Sequence, residues 1–260
     1  MAGDFDYERY GRGYARQRMT DSWIASMVHE ALGGAQTVLN VGAGTGSYEP
    51  RDRYVLAVEP SQAMREQRTR DQAPVVNAAA EGLPFDDNHF DASMAILTVH
   101  HWDNNAKEGI RELRRVTRGP VVILTFDGEA LYQFWLKDYI PDLIFEARRR
   151  FPPINSITEY LGGTPTVCNV PIPLNCSDGF IESYYGRPER LLDPAVRQAQ
   201  SSWGFVDQAD QYSAVSQLRH DLKTGAWDKR FGHLRRLPQY DGALRLITSN
   251  MPSDQESLGS

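Results

Sequence analysis

The stretch VLNVGAGTGSYEP, residues 38–50, decides the fold. An apolar run, TVLNV at 37–41, empties there into three alternate glycines, Gly42, Gly44 and Gly46. Glycine lacks the β-carbon that would hold a ligand off the main chain, so a strand ending this way offers bare backbone at its carboxyl end. Upstream, TDSWIASMVHEAL (20–32) places Trp23, Ile24, Met27, Val28 and Leu32 on one helical face behind an N-cap at Thr20 or Asp21. Gly33-Gly34 ends that helix. Downstream, YVLAVEP (54–60), VVNAA (75–79), FDASMAILTV (90–99) and PVVILTFD (120–127) read as four further buried strands. Between them lie SQAMREQRTRD, a helix capped by Ser61, and an amphipathic helix over 104–118 with Ala106, Ile110, Leu113 and Val116 inward.

Strands alternating with helices at this short pitch predict an α/β domain with a doubly wound, parallel sheet. Continuous apolar strands suit a sheet covered by helices on both faces. Ligands on such sheets sit at the carboxyl ends of the strands, near the reversal of strand order, which is where the glycine turn lies. Past residue 128 the rhythm changes. EALYQFWLKDYIPDLIFEARRRF reads as an aromatic-rich helix interrupted at Pro141, and TVCNVPIPL (166–174) as an edge strand with prolines. Helical segments follow over 178–202 and 207–226, and GALRLITS (242–249) closes as a last strand. The expected organisation is an N-terminal helical cap (1–32), a ligand-binding core (33–127), a helical lid (128–241), the last strand (242–250) and a disordered tail (251–260).

The glycine turn poses a choice between the pyrophosphate of a dinucleotide and the amino-acid end of S-adenosylmethionine. The dinucleotide fingerprint is G-x-G-x-x-G, whereas here one residue fewer separates the last two glycines. The second strand ends in Glu59, whose two oxygens can accept both hydroxyls of an adenosine ribose. No basic residue stands in the turn to neutralise a pyrophosphate.

VLNVGAGTGSYE, AVEPSQAM, AEGLPF and LTVHHWD, in this order and spacing, resemble the small-molecule branch of the class I S-adenosylmethionine-dependent methyltransferases. The resemblance covers residues 20–127 and implies a Rossmann-like, mostly parallel seven-stranded sheet with S-adenosyl-L-methionine as cofactor. It implies that Gly42, Ala43, Gly44 and Gly46 pack on the methionine and ribose, and that Glu59 holds the ribose. Pro60 and Met64 would cover the adenine, Ala80 and Glu81 would edge it, and the backbone around Ile96 and Leu97 would meet the methionyl amine. Asn40 stands where the family usually carries Asp, and Ala79 where many relatives do. YGRGYARQR resembles the family's leading segment, which makes Tyr14 and Arg18 cofactor contacts, Arg18 through a charge-assisted bond to the carboxylate. The bland alternative is a surface helix with solvated arginines.

Methyl transfer is an in-line displacement whose acceleration comes largely from alignment in a dry pocket. A base is needed only where the nucleophile carries a proton. His100 and His101, past the fourth strand, and Asp127, after the fifth, are the catalytic candidates. Otherwise a histidine bonds a loop carbonyl and Asp127 caps the next helix. Among the aromatics of the lid, Trp135, Tyr139 and Tyr184 are the expected acceptor contacts. EARRRF (146–151) reads either as an anion contact or, more commonly, as the solvated last turn of a helix.

The expected function is methyl transfer to an O, N or C nucleophile of a small organic acceptor. The alternatives are a cyclase or lyase using the bound cofactor without transfer, or a non-catalytic cofactor-binding subunit. With 260 residues and a formal net charge of −6, the chain suits no nucleic-acid partner, because phosphate neutralisation needs basic surface. Its two cysteines, Cys168 and Cys176, complete no metal site and read as free thiols. No apolar run reaches the roughly 20 residues that span a bilayer, no membrane partner is expected, and cytoplasm is the default location. Monomer and homodimer remain equal readings.

Overall fold

The structure, a computed structural model, describes residues 17–250. Helix α1 (Ser22–Ala31) begins where the Asp21 carboxylate accepts from the Trp23 and Ile24 amides, and it buries Ile24, Ala25 and Val28. Strands β1 (Thr37–Val41) and β2 (Tyr54–Val58) follow, then a single turn, α2 (Gln62–Arg65), and the two-residue β3 (Val75–Val76). Next come β4 (Ala92–Ile96), α3 (Ala106–Arg115) and β5 (Val121–Phe126). Beyond them lie α4 (Gly128–Leu131), α5 (Pro141–Arg150), α6 (Ile154–Leu161), β6 (Thr164–Asn169) and β7 (Ile172–Pro173). The chain closes with α7 (Pro194–Gln198), α8 (Gln208–Thr224), α9 (Ala226–Phe231), β8 (Gln239–Tyr240) and β9 (Leu244–Asn250).

The seven-stranded sheet has the order β3-β2-β1-β4-β5-β9-β6. Pairings among β1 to β5 are parallel, and β9 runs antiparallel to both β5 and β6. The order reverses between β1 and β4, so a crevice opens beyond their carboxyl ends. Strand alternation splits the core. Val38, Met94 and Leu124 face α1 and the residues after 128, while Leu39, Val41 and Ile123 face α3 and α6. Helix α6 thus covers the sheet rather than the crevice, through Ile157 and Leu161.

Several elements are shorter than their sequence pattern. The helix expected over 61–71 stops at Arg65, because the side chains beyond it turn inward: Arg68 bonds Glu49, and Gln72 bonds the Thr45 carbonyl. Between 128 and 150 the aromatic run is not one interrupted helix. It breaks into α4, a 3-10 turn (Trp135–Asp138) and α5, with Pro141 starting α5, where its missing N–H costs nothing. The edge strand read at 166–174 divides. β6 pairs with β9, whereas β7 leaves the sheet to form a two-stranded ribbon with β8. Residues 178–202 hold 3-10 turns and α7 rather than a long helix, consistent with Pro188 and Pro194 each opening a new turn. Among the described residues, no helix is long and apolar enough to cross a membrane.

Candidate functional site

A cavity of about 320 Å³ lies beyond β1 and β4, against the glycine turn. All three glycines hold positive φ: 68° at Gly42, 52° at Gly44 and 89° at Gly46. Gly42 is constrained twice, since a β-carbon there would lie 2.1 Å from Thr98 Oγ1. Gly46 differs from its partners. It is not on the cavity wall, and an added β-carbon would strike Gln72 and Arg68, so it serves the packing of the turn rather than a ligand surface.

Glu59 braces the turn from the end of β2. Its two oxygens accept from the Gly44 amide at 2.7 Å and the Ser61 amide at 2.8 Å. Burial pushes its pKa up, and those two N–H groups oppose the rise. It lines the cavity with Pro60, Met64, Ala80 and Glu81 on one side and Ile96 and Leu97 on the other. Leu97 itself takes φ 52°, a left-handed turn that swings the chain off β4 towards the histidines.

Asn40 lies at the floor and is 1% exposed. Its amide nitrogen donates to Glu49 Oε1 at 3.0 Å, and Glu49 is held in turn by Arg68 at 2.8 Å. That pairing, which assigns the amide orientation, leaves Asn40 Oδ1 buried with no hydrogen-bond partner among the described residues. A buried orphan acceptor is costly, and one beside a cavity calls for a donor from a ligand.

Arg18 also reaches the wall, but as one part of a clasp. Its Nε donates to Asp178 Oδ1 at 2.6 Å, and Tyr48 donates its hydroxyl proton to Asp178 Oδ2 at 2.9 Å. Asp178, 2% exposed, comes from residues 128–241, the region expected to be a lid and here called the lid, and completes the wall. Tyr14 lies outside the described residues.

The histidines part company. His101 lines the cavity and its Nδ1 accepts a hydrogen bond from Arg150 Nη2 at 3.2 Å. Arginine can only donate, so this contact leaves the imidazole proton on Nε2. His100 faces the other way, against Phe151 at 4.6 Å between ring centres, and lines a second cavity. Burial, with His101 and Arg150 nearby, pushes its pKa well below the usual value, so it is neutral.

Four expected residues are elsewhere. Asp127 accepts from the Glu129 and Ala130 amides and lies 3.5 Å from Arg245; it is a helix cap away from both cavities. Trp135 is buried, donating to the Tyr185 carbonyl at 3.1 Å, and Tyr139 bonds Asp221 at 2.9 Å. Tyr184 is buried beneath the Arg187 guanidinium, one layer behind the wall, where its hydroxyl would be 2.6 Å from a β-carbon at Gly179. Aromatic content alone does not separate lid core from pocket wall. Ser47, Tyr48, Thr98, Trp102 and Asp178 line the cavity without having been singled out. Thr98 and Trp102 flank the histidines, a positional signal, whereas Asp178 stands 160 positions from Arg18 with no local mark.

A family profile described as a methyltransferase domain matches residues 39–123. The mitochondrial arginine-hydroxylase NDUFAF5 of Danio rerio is 30% identical over 129 residues, 46% of this chain. The match spans 40% of that relative's length. A solved structure from Anabaena variabilis, described as a candidate methyltransferase of an antibiotic biosynthesis pathway, is 30% identical. It superposes with a TM-score of 0.83 over 90% of this chain and 99% of that one. A Thermotoga maritima protein, described as an S-adenosylmethionine-dependent methyltransferase, shares the fold at 15% identity and a TM-score of 0.55, over 95% of this chain and 98% of that one.

Proposed function

The chain belongs to the class I S-adenosylmethionine-dependent methyltransferases, and on that premise we propose that it methylates an O, N or C nucleophile of a small organic acceptor. Its cofactor is S-adenosylmethionine. The observation that carries the reading is Asn40 Oδ1, a buried acceptor with no donor among the described residues at the floor of the glycine-lined cavity. A methionyl ammonium would satisfy it with an N–H. A pyrophosphate offers only acceptors there, and the two arginines at hand are engaged, Arg68 with Glu49 and Arg18 with Asp178.

Around that point the residues divide the work. The backbone at Gly42, Ala43 and Gly44 gives close approach to the methionine and ribose, and Glu59 has lone pairs beyond its two amide bonds for the ribose hydroxyls. Met64 and Pro60 would cover the adenine, with Ala80 and Glu81 at its edge. Arg18, aligned by Asp178 and Tyr48, would take the carboxylate end. When bound, the cofactor would supply an electrophilic methyl on a sulfonium.

His101 orients the acceptor. With Arg150 donating to Nδ1, its Nε2–H is a donor, and it can take a proton only once the Arg150 contact opens. His100, neutral and turned from the cofactor cavity, supports it by packing against it, with ring centres 3.9 Å apart and the planes tilted by 43°.

Calorimetric titration with S-adenosylmethionine, NAD and NADP tests the cofactor assignment; binding of a dinucleotide alone refutes it. Release of S-adenosylhomocysteine with an acceptor panel then tests transfer. For His101→Phe the expected result is a fall of about a hundredfold in kcat/KM, the cost of a misplaced acceptor, with the shape of the pH profile unchanged. Loss in the variant of a pH inflection that the wild type shows would make His101 the base.

A further inference from the structure

On the far side of the histidine turn is a second cavity, of about 630 Å³. His100 lines it, His101 lines the cofactor cavity, and Asp103 and Asn104 line both, so the two spaces meet along residues 100–104. Three cations from two helices reach its wall: Lys107 in the first turn of α3, and Arg149 and Arg150 in the last turn of α5. Among the described residues, Asp103 is the single carboxylate lining it. The first turns of α3 and α6, neither capped by a side chain, open into the same space through Ala106 and Ser156, adding partial positive charge.

The cations are arranged rather than merely present. Lys107 lies over the Tyr160 ring at 5.6 Å, and among the described residues it pairs with no carboxylate. Arg150 is positioned over the Phe205 ring at 4.2 Å while it bonds His101. Among the described residues Arg149 pairs only with Glu146 on its own helix, an exposed i,i+3 contact of the weak kind. Between the charges are flat apolar walls, Phe151, Pro152 and Tyr160.

We infer that this second cavity is the acceptor site and that it takes an aromatic or similarly flat organic anion, its carboxylate or phosphate held by Lys107 and Arg149. The inference rests on the methyltransferase reading for the word acceptor, but the preference for an anion stands on the cavity itself. An anion seated between α3 and α5 extends its body past Asn104 towards His101, which then orients the reacting atom.

The test uses the full chain with and without saturating S-adenosylhomocysteine. Benzoate, phenyl phosphate and the neutral benzyl alcohol are titrated by calorimetry. The two anions are expected to bind about tenfold tighter than the alcohol, and the tighter of the two identifies carboxylate or phosphate as the anchor. In Lys107→Gln combined with Arg149→Gln that preference is expected to vanish, since each exposed cation is worth up to about fivefold. S-adenosylhomocysteine affinity should be unchanged in the same variant. Equal binding of anion and alcohol, no binding of either anion, or a preference that survives the double substitution overturns the inference. Failure of S-adenosylhomocysteine to bind the unaltered chain refutes instead the cofactor reading, and the titrations without it still decide the anion preference.

Discussion

The cofactor half and the lid half of this molecule are built by different means. Around the glycine turn the contacts are close in sequence and largely backbone: Glu59 reaches Ser61 two residues on and Gly44 fifteen back, and Asn40 reaches Glu49 nine on. In the lid they are side-chain contacts across long separations, Trp135 to Tyr185 over 50 residues and Tyr139 to Asp221 over 82. A backbone-built site tolerates few substitutions at the turn itself. A side-chain-built lid can be altered locally, with the cost appearing in stability rather than in cofactor affinity.

The largest effect should therefore come from the turn. Gly42→Ala forces a side chain into φ 68° and brings its β-carbon onto Thr98. The backbone strain alone is of order 1–3 kcal/mol, and the overlap adds to it. Cofactor binding should be abolished and the melting temperature lowered. Combining it with Thr98→Gly should relieve the overlap and leave the strain. Full binding by the single variant would show that the backbone does not approach the ligand there.

The seam between the halves supplies the next. Glu182, fully buried, accepts from the Ala243 amide, beside the point where Asp127 and Ala243 hold the two ends of the lid together. Burial raises its pKa to about 7 from 4.5; the Ala243 N–H and Arg245 oppose the rise, and Asp127 adds to it. The folded chain thus favours the neutral carboxyl. Its contribution is complete below about pH 4.5 and is lost as pH rises through about 7, a swing of about 3 kcal/mol. Urea unfolding of the wild type and Glu182→Gln at about pH 5 and pH 8 measures it. The wild type should lose stability relative to the variant at the higher pH, and parallel behaviour would mean that Glu182 titrates normally.

Glu59→Gln returns to the turn with a smaller cost. Both amides lose a charged acceptor, one of them faces an NH2 instead, and the ribose loses a charge-assisted bond worth about 2 kcal/mol, so cofactor affinity should fall by about thirtyfold. Because burial raises the Glu59 pKa, affinity in the wild type should also weaken on the acid side, as the carboxyl becomes protonated and loses its acceptor strength. An unchanged affinity in the variant would remove the ribose from Glu59.

This contrast also explains what could be read from the amino-acid order. Strand periodicity and the glycine spacing are local, so the parallel sheet and the wall at Gly42, Gly44, Glu59 and Met64 were visible in residues 37–97. The edge of the lid was not. Asp178 looks like any loop aspartate until folding brings it beside Arg18 and Tyr48. His100 and His101 are adjacent and chemically identical, yet the 3-10 turn over Val99–His101 sends them to different cavities. Helix lengths failed where a side chain bonded back into the structure, as at Arg68 and Gln72, since capping and periodicity do not register such long contacts.

The smallest effect tests the lid directly. Tyr139→Phe removes a hydroxyl whose described partner is Asp221, a carboxylate that also accepts from Gln217. Losing one hydrogen bond of this kind costs about 1 kcal/mol, and Asp221 keeps its second donor. Since Tyr139 stands in the side-chain-built half and off both cavity walls, the cost should fall wholly on stability, with cofactor affinity and acceptor KM unchanged. A KM that rises while stability holds would put Tyr139 against the acceptor after all, and the division between a backbone-built site and a side-chain-built lid would have to be redrawn with α8, which carries Asp221, inside the site.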